Sequence, residues 1–291
     1  MTPSIPLAVI GGSGFYEMPG LSGVEEVRIE TPFGPPSDAI RIGTLDGLRV
    51  AFLARHGRGH TILPSELPQR ANFWALKSIG VQRVLSVSAV GSLQEAIEPG
   101  HLVTPDQLID RTRWPRPATF FGEGVVAHVA MADPFCPALR LATGHAARAA
   151  GAIVHSGGAL VVIEGPAFGT RAESEVYRSW GAALVGMTAL PEAKLAREAE
   201  LCYATLACVT DYDCWHEGES VEANIVFERM AKNVALSQAA VSHLVASLPG
   251  RSACGCATAL DSALVTPPAA IGAELRKRLA PILERRLGDA S

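Results

Sequence analysis

Short apolar runs alternate along this chain with amphipathic stretches, and the two periods differ. Leu7–Ile10, Arg41–Leu45, Leu48–Leu53, Val84–Val87, His101–Thr104, Gly158–Ile163, Leu184–Met187 and Leu201–Val209 are continuous or alternating apolar segments bounded by glycine, proline or polar residues, as strands are. Asp46-Gly47 between two of them is a hairpin signal. Apolar residues at three- and four-residue steps predict helices over Gln69–Ile79, Pro137–Ala150, Thr170–Trp180, Pro191–Ala199, Ile225–Leu248 and Ile271–Leu287. Gly80, Gly151 and Gly181 stop the first three. Thr170 and Glu173 form a capping box, and Glu192 lies early enough in its helix to suit the dipole. Leu108–Phe121 mixes Arg, Trp and Pro without a period and reads as a long excursion or lid-like loop; Pro249–Pro268 reads as a loop. Ser88–Ser92 reads as a small-residue turn after its strand. Strands and helices alternate without linker or repeat. The prediction is an α/β protein, a single domain with a central mixed β-sheet flanked by helices, in which 1–250 carries the sheet and 251–291 packs on it as a loop and helix.

Composition narrows the classes. Of 291 residues, 48% are hydrophobic, enough for a large core. A net charge of −4 with no Lys/Arg run gives no basis for nucleic-acid or membrane-surface binding. No apolar run approaches the roughly 20 residues of a membrane span. Met1–Pro6 lacks the basic and apolar regions of a signal peptide, so the cytoplasm is the expected location. Six cysteines in a chain this long are not a secreted disulfide framework. Cys254 and Cys256 form a lone C-x-C: reduced thiols are the plain reading, a redox pair the alternative, and zinc would need further ligands.

Candidate chemistry sits at strand ends, where open α/β sheets bind ligands. Thr210-Asp211-Tyr212-Asp213-Cys214-Trp215 follows the last strand, and residues two apart point to the same side, so both carboxylates could face one pocket. The alternative is a capping Asp211 and a solvated Asp213. Gly11-Gly12-Ser13-Gly14-Phe15 follows the first strand. It lacks the third glycine of a dinucleotide fingerprint, Glu17 standing there, and the Gly-Lys-Ser/Thr of a P-loop. It is an anion loop of another kind or a plain tight turn. Arg55-His56-Gly57-Arg58-Gly59-His60 suits an oxyanion, Arg offering a planar fork and His a directional donor.

These motifs occur in one order with Thr31-Pro32-Phe33-Gly34, Asn72-x-Trp74-Ala75-Leu76, Asp110-Arg111-Thr112, Asp133-Pro134-Phe135-Cys136-Pro137, Glu164-Gly165-Pro166, Gly186-Met187-Thr188 and Pro191-Glu192. The set resembles the purine nucleoside phosphorylase superfamily, most closely its 5′-methylthioadenosine phosphorylase branch, through about residue 245. The resemblance implies a mixed-sheet homotrimer with sites near subunit interfaces. It implies cleavage of a nucleoside by inorganic phosphate as co-substrate, with no metal or organic cofactor. Phosphate would be held by Ser13, Arg55, His56, Ser88, Ala89 and Thr188. Met187 would lie along the ribose, and the base near Phe168, Gly169, Asp211 and Asp213. His128, which by itself reads as a surface or satisfied histidine, matches a position near the 5′-substituent, with Ala223 and Val226 as matches for the alkylthio pocket.

Base preference follows from hydrogen-bond chemistry. A carboxyl can accept from the N6 amine of a 6-aminopurine and donate to N7 as the bond breaks. Members selective for 6-oxopurines resemble this chain but have Asn at 211 and Glu at 169. The Asp211 and Gly169 found here favour adenine-type bases. The nearest branch has Arg at 167 and Ser at 169, where this chain has Ala167 and Gly169, so one base contact is lost. A 6-oxopurine or relaxed phosphorylase is the nearest alternative, and a non-catalytic nucleoside-binding protein the alternative of another class.

Overall fold

The computed structural model describes residues 4–12, 15, 18–113, 116–217, 222–250 and 254–288. Among them eleven strands form one mixed sheet: β1 (Leu7–Gly11), β2 (Ser22–Val27), β3 (Ile40–Leu45), β4 (Leu48–Ala54), β5 (Arg83–Ser92), β6 (Leu102–Thr104), β7 (Gln107–Arg111), β8 (Val154–Ser156), β9 (Ala159–Ile163), β10 (Leu184–Gly186) and β11 (Cys202–Asp211). The helices are α1 (Gln69–Ser78), α2 (Pro137–Ala149), α3 (Arg171–Ser179), α4 (Ala189–Glu198), α5 (Ala223–Ala246), α6 (Ala273–Arg278) and α7 (Ala280–Leu287). One face of the sheet buries α1, α4 and the C-terminal segment, with Phe73, Leu76, Leu195, Leu260, Ile282 and Leu283 in one cluster. The other face buries α2 and α5 through Leu139, Ala147, Val241 and Leu244. The predicted α/β architecture with a helix-covered mixed sheet is the one observed.

Several elements differ from expectation, each for a local reason. β2 reads SGVEEV and is exposed, so no apolar pattern announced it. β8 has three residues, too few for a period to show. β7 lies inside the supposed excursion and pairs in parallel with β9. The expected C-terminal helix is split at Leu279. Pro281 has no N–H to continue α6 and instead opens α7, where that donor is not needed.

What positions the site is a fork in the sheet. β5 pairs with β11 along nearly its whole length. On its other edge β1 covers only Val84–Ser86, and β10 covers only Gly91 and Ser92. Val87–Val90 therefore have no strand neighbour on that side. The supposed turn at Ser88–Ser92 is thus strand, with one edge left open for other partners.

The segment after β7 is pinned. Arg116 pairs with Glu164 at 2.8 Å and donates to the Met187 carbonyl at 2.8 Å. Glu198 of α4 accepts from the Thr119 hydroxyl and the Phe120 N–H, both at 2.7 Å. Burial pushes the Glu198 carboxyl up from an ordinary 4.5 to about 7. A carboxyl raised on folding contributes stability that is fully present below its unfolded value and is lost as pH rises through the folded one. Glu198→Gln is therefore expected to gain on the wild type by up to about 3 kcal/mol between pH 4.5 and 8. Urea unfolding of both proteins at pH 5 and pH 8 measures the difference; an unchanged difference would mean that Glu198 is ionised throughout.

Candidate active site

Where β5 lies open, a cavity of about 360 Å³ gathers residues from the ends of β1, β4, β9, β10 and β11. Arg55 and His56 follow β4, whose last residues run parallel to β1. Ser88, Ala89, Val90 and Gly91 enter from the open edge of β5. Met187 and Thr188 follow β10, Phe168 and Gly169 follow β9, and Asp211 and Asp213 lie at the end of β11. Of the residues expected at a site, Arg55, His56, Ser88, Ala89, Thr188, Phe168, Gly169, Met187, Val226, Asp211 and Asp213 all line it. Ser13 lies outside the described residues, between Gly12 and Phe15, which both border the cavity. His128 does not reach it. Its N–H donates to the Ala263 carbonyl, and the residue is exposed on the C-terminal segment's side of the fold. Ala223, the first residue of α5, is also exposed and outside the lining, while Val226 one turn on is inside.

The cationic corner is not the open fork expected of Arg55. Its Nε donates to Glu192 at 2.6 Å, Nη1 to the Val87 carbonyl at 3.0 Å, and Nη2 to Ser86 Oγ at 2.6 Å and the Ile10 carbonyl at 3.2 Å. Four of its five N–H donors are thus committed, leaving one on Nη1. The Val87 carbonyl it meets is one of the groups released where β1 ends. Glu192, fully buried, also accepts from the Tyr203 hydroxyl at 2.8 Å and Gln69 Nε2 at 3.4 Å. The dipole role read from Glu192's place in α4 is therefore accompanied by a buried ion pair that joins α4 to β4.

His56 is a neutral imidazole. Burial and the neighbouring Arg55 bring its pKa down to about 4. Its Nδ1 lies 2.8 Å from the Ile62 carbonyl, which can only accept. The ring proton is therefore on Nδ1, and Nε2 is left as an acceptor. In this state His56 suits a protonated oxygen of an anion. His60 stacks on it at 4.2 Å, and Phe227 of α5 meets His60 edge-on at 5.4 Å. Sequence reasoning placed His60 in the basic cluster but not at the site. Val226 is the one residue of its α5 stripe that the resemblance places at the site; Phe227, Met230, Ala231 and Val234, whose spacing predicts only a helix, join it in an apolar wall of the cavity.

Both carboxylates are inside, though strand alternation is not the reason. The β11 register slips between Val209 and Asp211, so Thr210 is a bulge that re-aims the chain. Asp213 opens a 3₁₀ turn with φ of 54°. Asp211 Oδ2 accepts from the Thr210 hydroxyl at 2.7 Å and Oδ1 from the Asp213 N–H at 2.8 Å. The capping alternative is right about that second bond. The solvated alternative fails, because Asp211 and Asp213 are each only 6% exposed. Burial is the main cause that raises both carboxyls above the ordinary range, and the Asp213 charge adds to the effect on Asp211. Asp211 is held by the Thr210 hydroxyl and by the backbone, not the carboxylate, of Asp213.

Gly91 makes room for this arrangement. A Cβ there would lie 2.9 Å from Asp211 Oδ1, 3.1 Å from Val185 Cγ1 and 3.3 Å from Asp213 Cβ. Gly91→Ala is expected to cost about 1–3 kcal/mol and to displace Asp211. Gly169→Ala is the control, since its new Cβ would find its nearest neighbour, Glu173 Oε2, 4.0 Å away. Thermal midpoints of the two variants make the comparison; equal effects would mean that the Gly91 contact is not limiting.

The fold and this cavity define an α/β enzyme whose site joins a cationic corner, two buried carboxyls and an apolar wall. The chain belongs to the phosphorylase superfamily, whose family model matches residues 6–246. It is 59% identical to the S-methyl-5′-thioadenosine phosphorylase of Chloroflexus aurantiacus, over 97% of this chain and 98% of that one. It is 53% identical to the enzyme of that name from Geobacter sulfurreducens, over 94% and 96%. Among solved structures, a methylthioadenosine phosphorylase from an antarctic soil metagenomic library superposes with a TM-score of 0.91 at 49% identity, over 96% and 99% of the two chains. The Schistosoma mansoni methylthioadenosine phosphorylase in complex with adenine gives 0.78 at 39% identity, over 84% and 91%.

Proposed function

We propose that this protein cleaves the N-glycosidic bond of 5′-methylthioadenosine with inorganic phosphate, releasing adenine and 5-methylthioribose-1-phosphate. The observation that carries the reading is one cavity holding both an anion corner at Arg55 and a buried, protonatable carboxyl at Asp211. The activity shared by its close relatives supports the substrate.

Phosphate binds against Arg55, His56, Ser88, Ala89 and Thr188, with Ser13 as a further donor. Arg55, held rigid by Glu192, supplies a fixed positive charge and one N–H. The Nε2 of His56 accepts from the phosphate hydroxyl. Phosphate attacks C1′, and its charge stabilises the oxocarbenium-like sugar. Met187 lies along the ribose. The base sits against Phe168 and Gly169, where Asp211 accepts from N6 and donates its proton to N7. Asp213 orients it through its backbone N–H. The apolar α5 wall at Val226, Phe227 and Met230 offers a methylthio group a dry surface and a 5′-hydroxyl no partner. No step needs a metal or organic cofactor.

His128 and Ala223 fit this reading in a homotrimer, where a neighbouring copy brings His128 to the 5′ end. No described helix is long and apolar enough to cross a membrane, and the cytoplasm is the proposed location.

The test is base release from 5′-methylthioadenosine, adenosine and inosine, each with and without phosphate. Phosphate-dependent adenine release, fastest from methylthioadenosine, is expected. Preference for inosine would overturn the base assignment, and release without phosphate would overturn the reaction class.

A further inference from the structure

Far from the cavity, four cysteines meet from three parts of the chain. Cys136 is the N-cap of α2, Cys202 opens β11, and Cys254 and Cys256 follow α5. All four Sγ atoms lie within 4.8 Å of one another, with Cys202 and Cys254 at 3.4 Å. We propose that these four thiols, as thiolates, hold a structural Zn²⁺ ion.

The geometry favours a metal over the other readings. Zinc–sulfur bonds of about 2.3 Å in a tetrahedron separate the sulfurs by about 3.8 Å, inside the observed spread. A disulfide needs about 2.05 Å and joins two sulfurs. All six cysteines are free in the structure, and two disulfides would give no reason for four sulfurs to crowd about one point. Burial as small apolar groups accounts for Cys208, which packs in the core with its sulfur against the Ser237 hydroxyl, but not for a four-sulfur cluster. Cys136, Cys202 and Cys256 are at most 3% exposed and Cys254 is partly exposed. The ion would be enclosed, with no open coordination position, as structural sites are. A thiolate at Cys136 is also supported locally. It caps a helix N-terminus and accepts the Leu139 N–H at 3.5 Å. The lone C-x-C lacked further ligands in the sequence; the fold supplies them from residues 52 and more positions away. Binding releases the thiol protons to solvent, so affinity falls as pH falls.

The role is structural. Cys202 and Asp211 are the first and last residues of β11, roughly 30 Å apart at 3.3 Å per residue. The ion would fasten the segment after α5 to the base of α2 and β11. From there the chain runs on to Leu260, Ile271 and Ile282, which sit in the core.

The test uses the full chain, purified without chelators and dialysed against metal-free buffer. Metal is counted by mass spectrometry, and thiols are titrated before and after denaturation in EDTA. One zinc per chain is expected, with the four cluster thiols protected until the metal is removed and the buried Cys208 adding a fifth newly reactive thiol on denaturation. Replacement by Co²⁺ should give the intense visible bands of a tetrahedral thiolate site. Cys254→Ser should weaken zinc binding by more than the roughly 10–100-fold that losing an outer-shell partner costs. Cys214→Ser, outside the cluster, should keep the metal. Should Cys254→Ser not fold, the metal count and thiol titration of the wild type decide. Metal-free protein that takes up neither ion, iron in place of zinc, or two disulfides by mass would each overturn the proposal. Base release is not among these readouts, so the zinc site and the proposed reaction stand or fall separately.

Discussion

Asp211→Asn should lower kcat for methylthioadenosine by about 10²–10⁴ while the protein folds normally. The fold is spared because an Asn carbonyl can take over the Asp213 N–H, and its amide can donate to the Thr210 hydroxyl, which itself lies 3.3 Å from the Val90 carbonyl. What is lost is the transferable proton. The loss corresponds to about 3–5 kcal/mol of transition-state stabilisation. Burial and the Asp213 charge hold the Asp211 proton to higher pH than an exposed aspartate would. Wild-type turnover should therefore fall on the alkaline side of that raised pKa, and the variant should lose this limb. Turnover across pH, with circular dichroism as the check on folding, measures both. Near-wild-type kcat in Asp211→Asn would remove the residue from the chemistry.

Glu192→Ala should be the most destabilising single change near the site, by about 3–5 kcal/mol. It leaves the Arg55 charge buried without its partner. The Tyr203 hydroxyl loses its acceptor in the same step. Because Arg55 is only 2% exposed, water cannot readily take the place of the carboxylate. Loss of the Nε contact leaves the guanidinium held only through Nη1 and Nη2 and so less firmly fixed, and the phosphate KM should rise even where the protein is folded. Glu192→Gln keeps an acceptor and should fall between the two. Urea unfolding and phosphate titration separate the stability effect from the binding effect. A Glu192→Ala protein within about 1 kcal/mol of wild type would mean that Arg55 is not held by this pair.

Much of this was legible in the chain. The strand runs at Leu7–Ile10 and Leu48–Leu53, the Asp46-Gly47 hairpin and the Thr170–Glu173 capping box are local features, and each recurs in the structure. So do most of the residues around the cavity, because they follow strands; that the ends of β9 and β10, antiparallel to β5, meet those of β1, β4 and β11 is the work of the fork in the sheet. Misreadings fell where local pattern is silent. β2 carries no buried face, and β5 continues through Ser88–Ser92 because β11 pairs with it, although small residues there suggested a turn.

The sequence by itself determined the α/β class, the chemistry at the strand ends and the family resemblance. All three rest on residue types and short spacings. Only the tertiary structure decided how those groups act. It closed the Arg55 fork on Glu192, fixed the His56 proton on Nδ1, and turned Asp211 inward through a bulge at Thr210. It also left His128 outside this chain's cavity and drew Cys136 and Cys202 to the C-x-C pair. The physical reason is range. Periodicity and capping act over a few residues, whereas protonation state, burial and ligand sets depend on neighbours that meet only when distant segments pack.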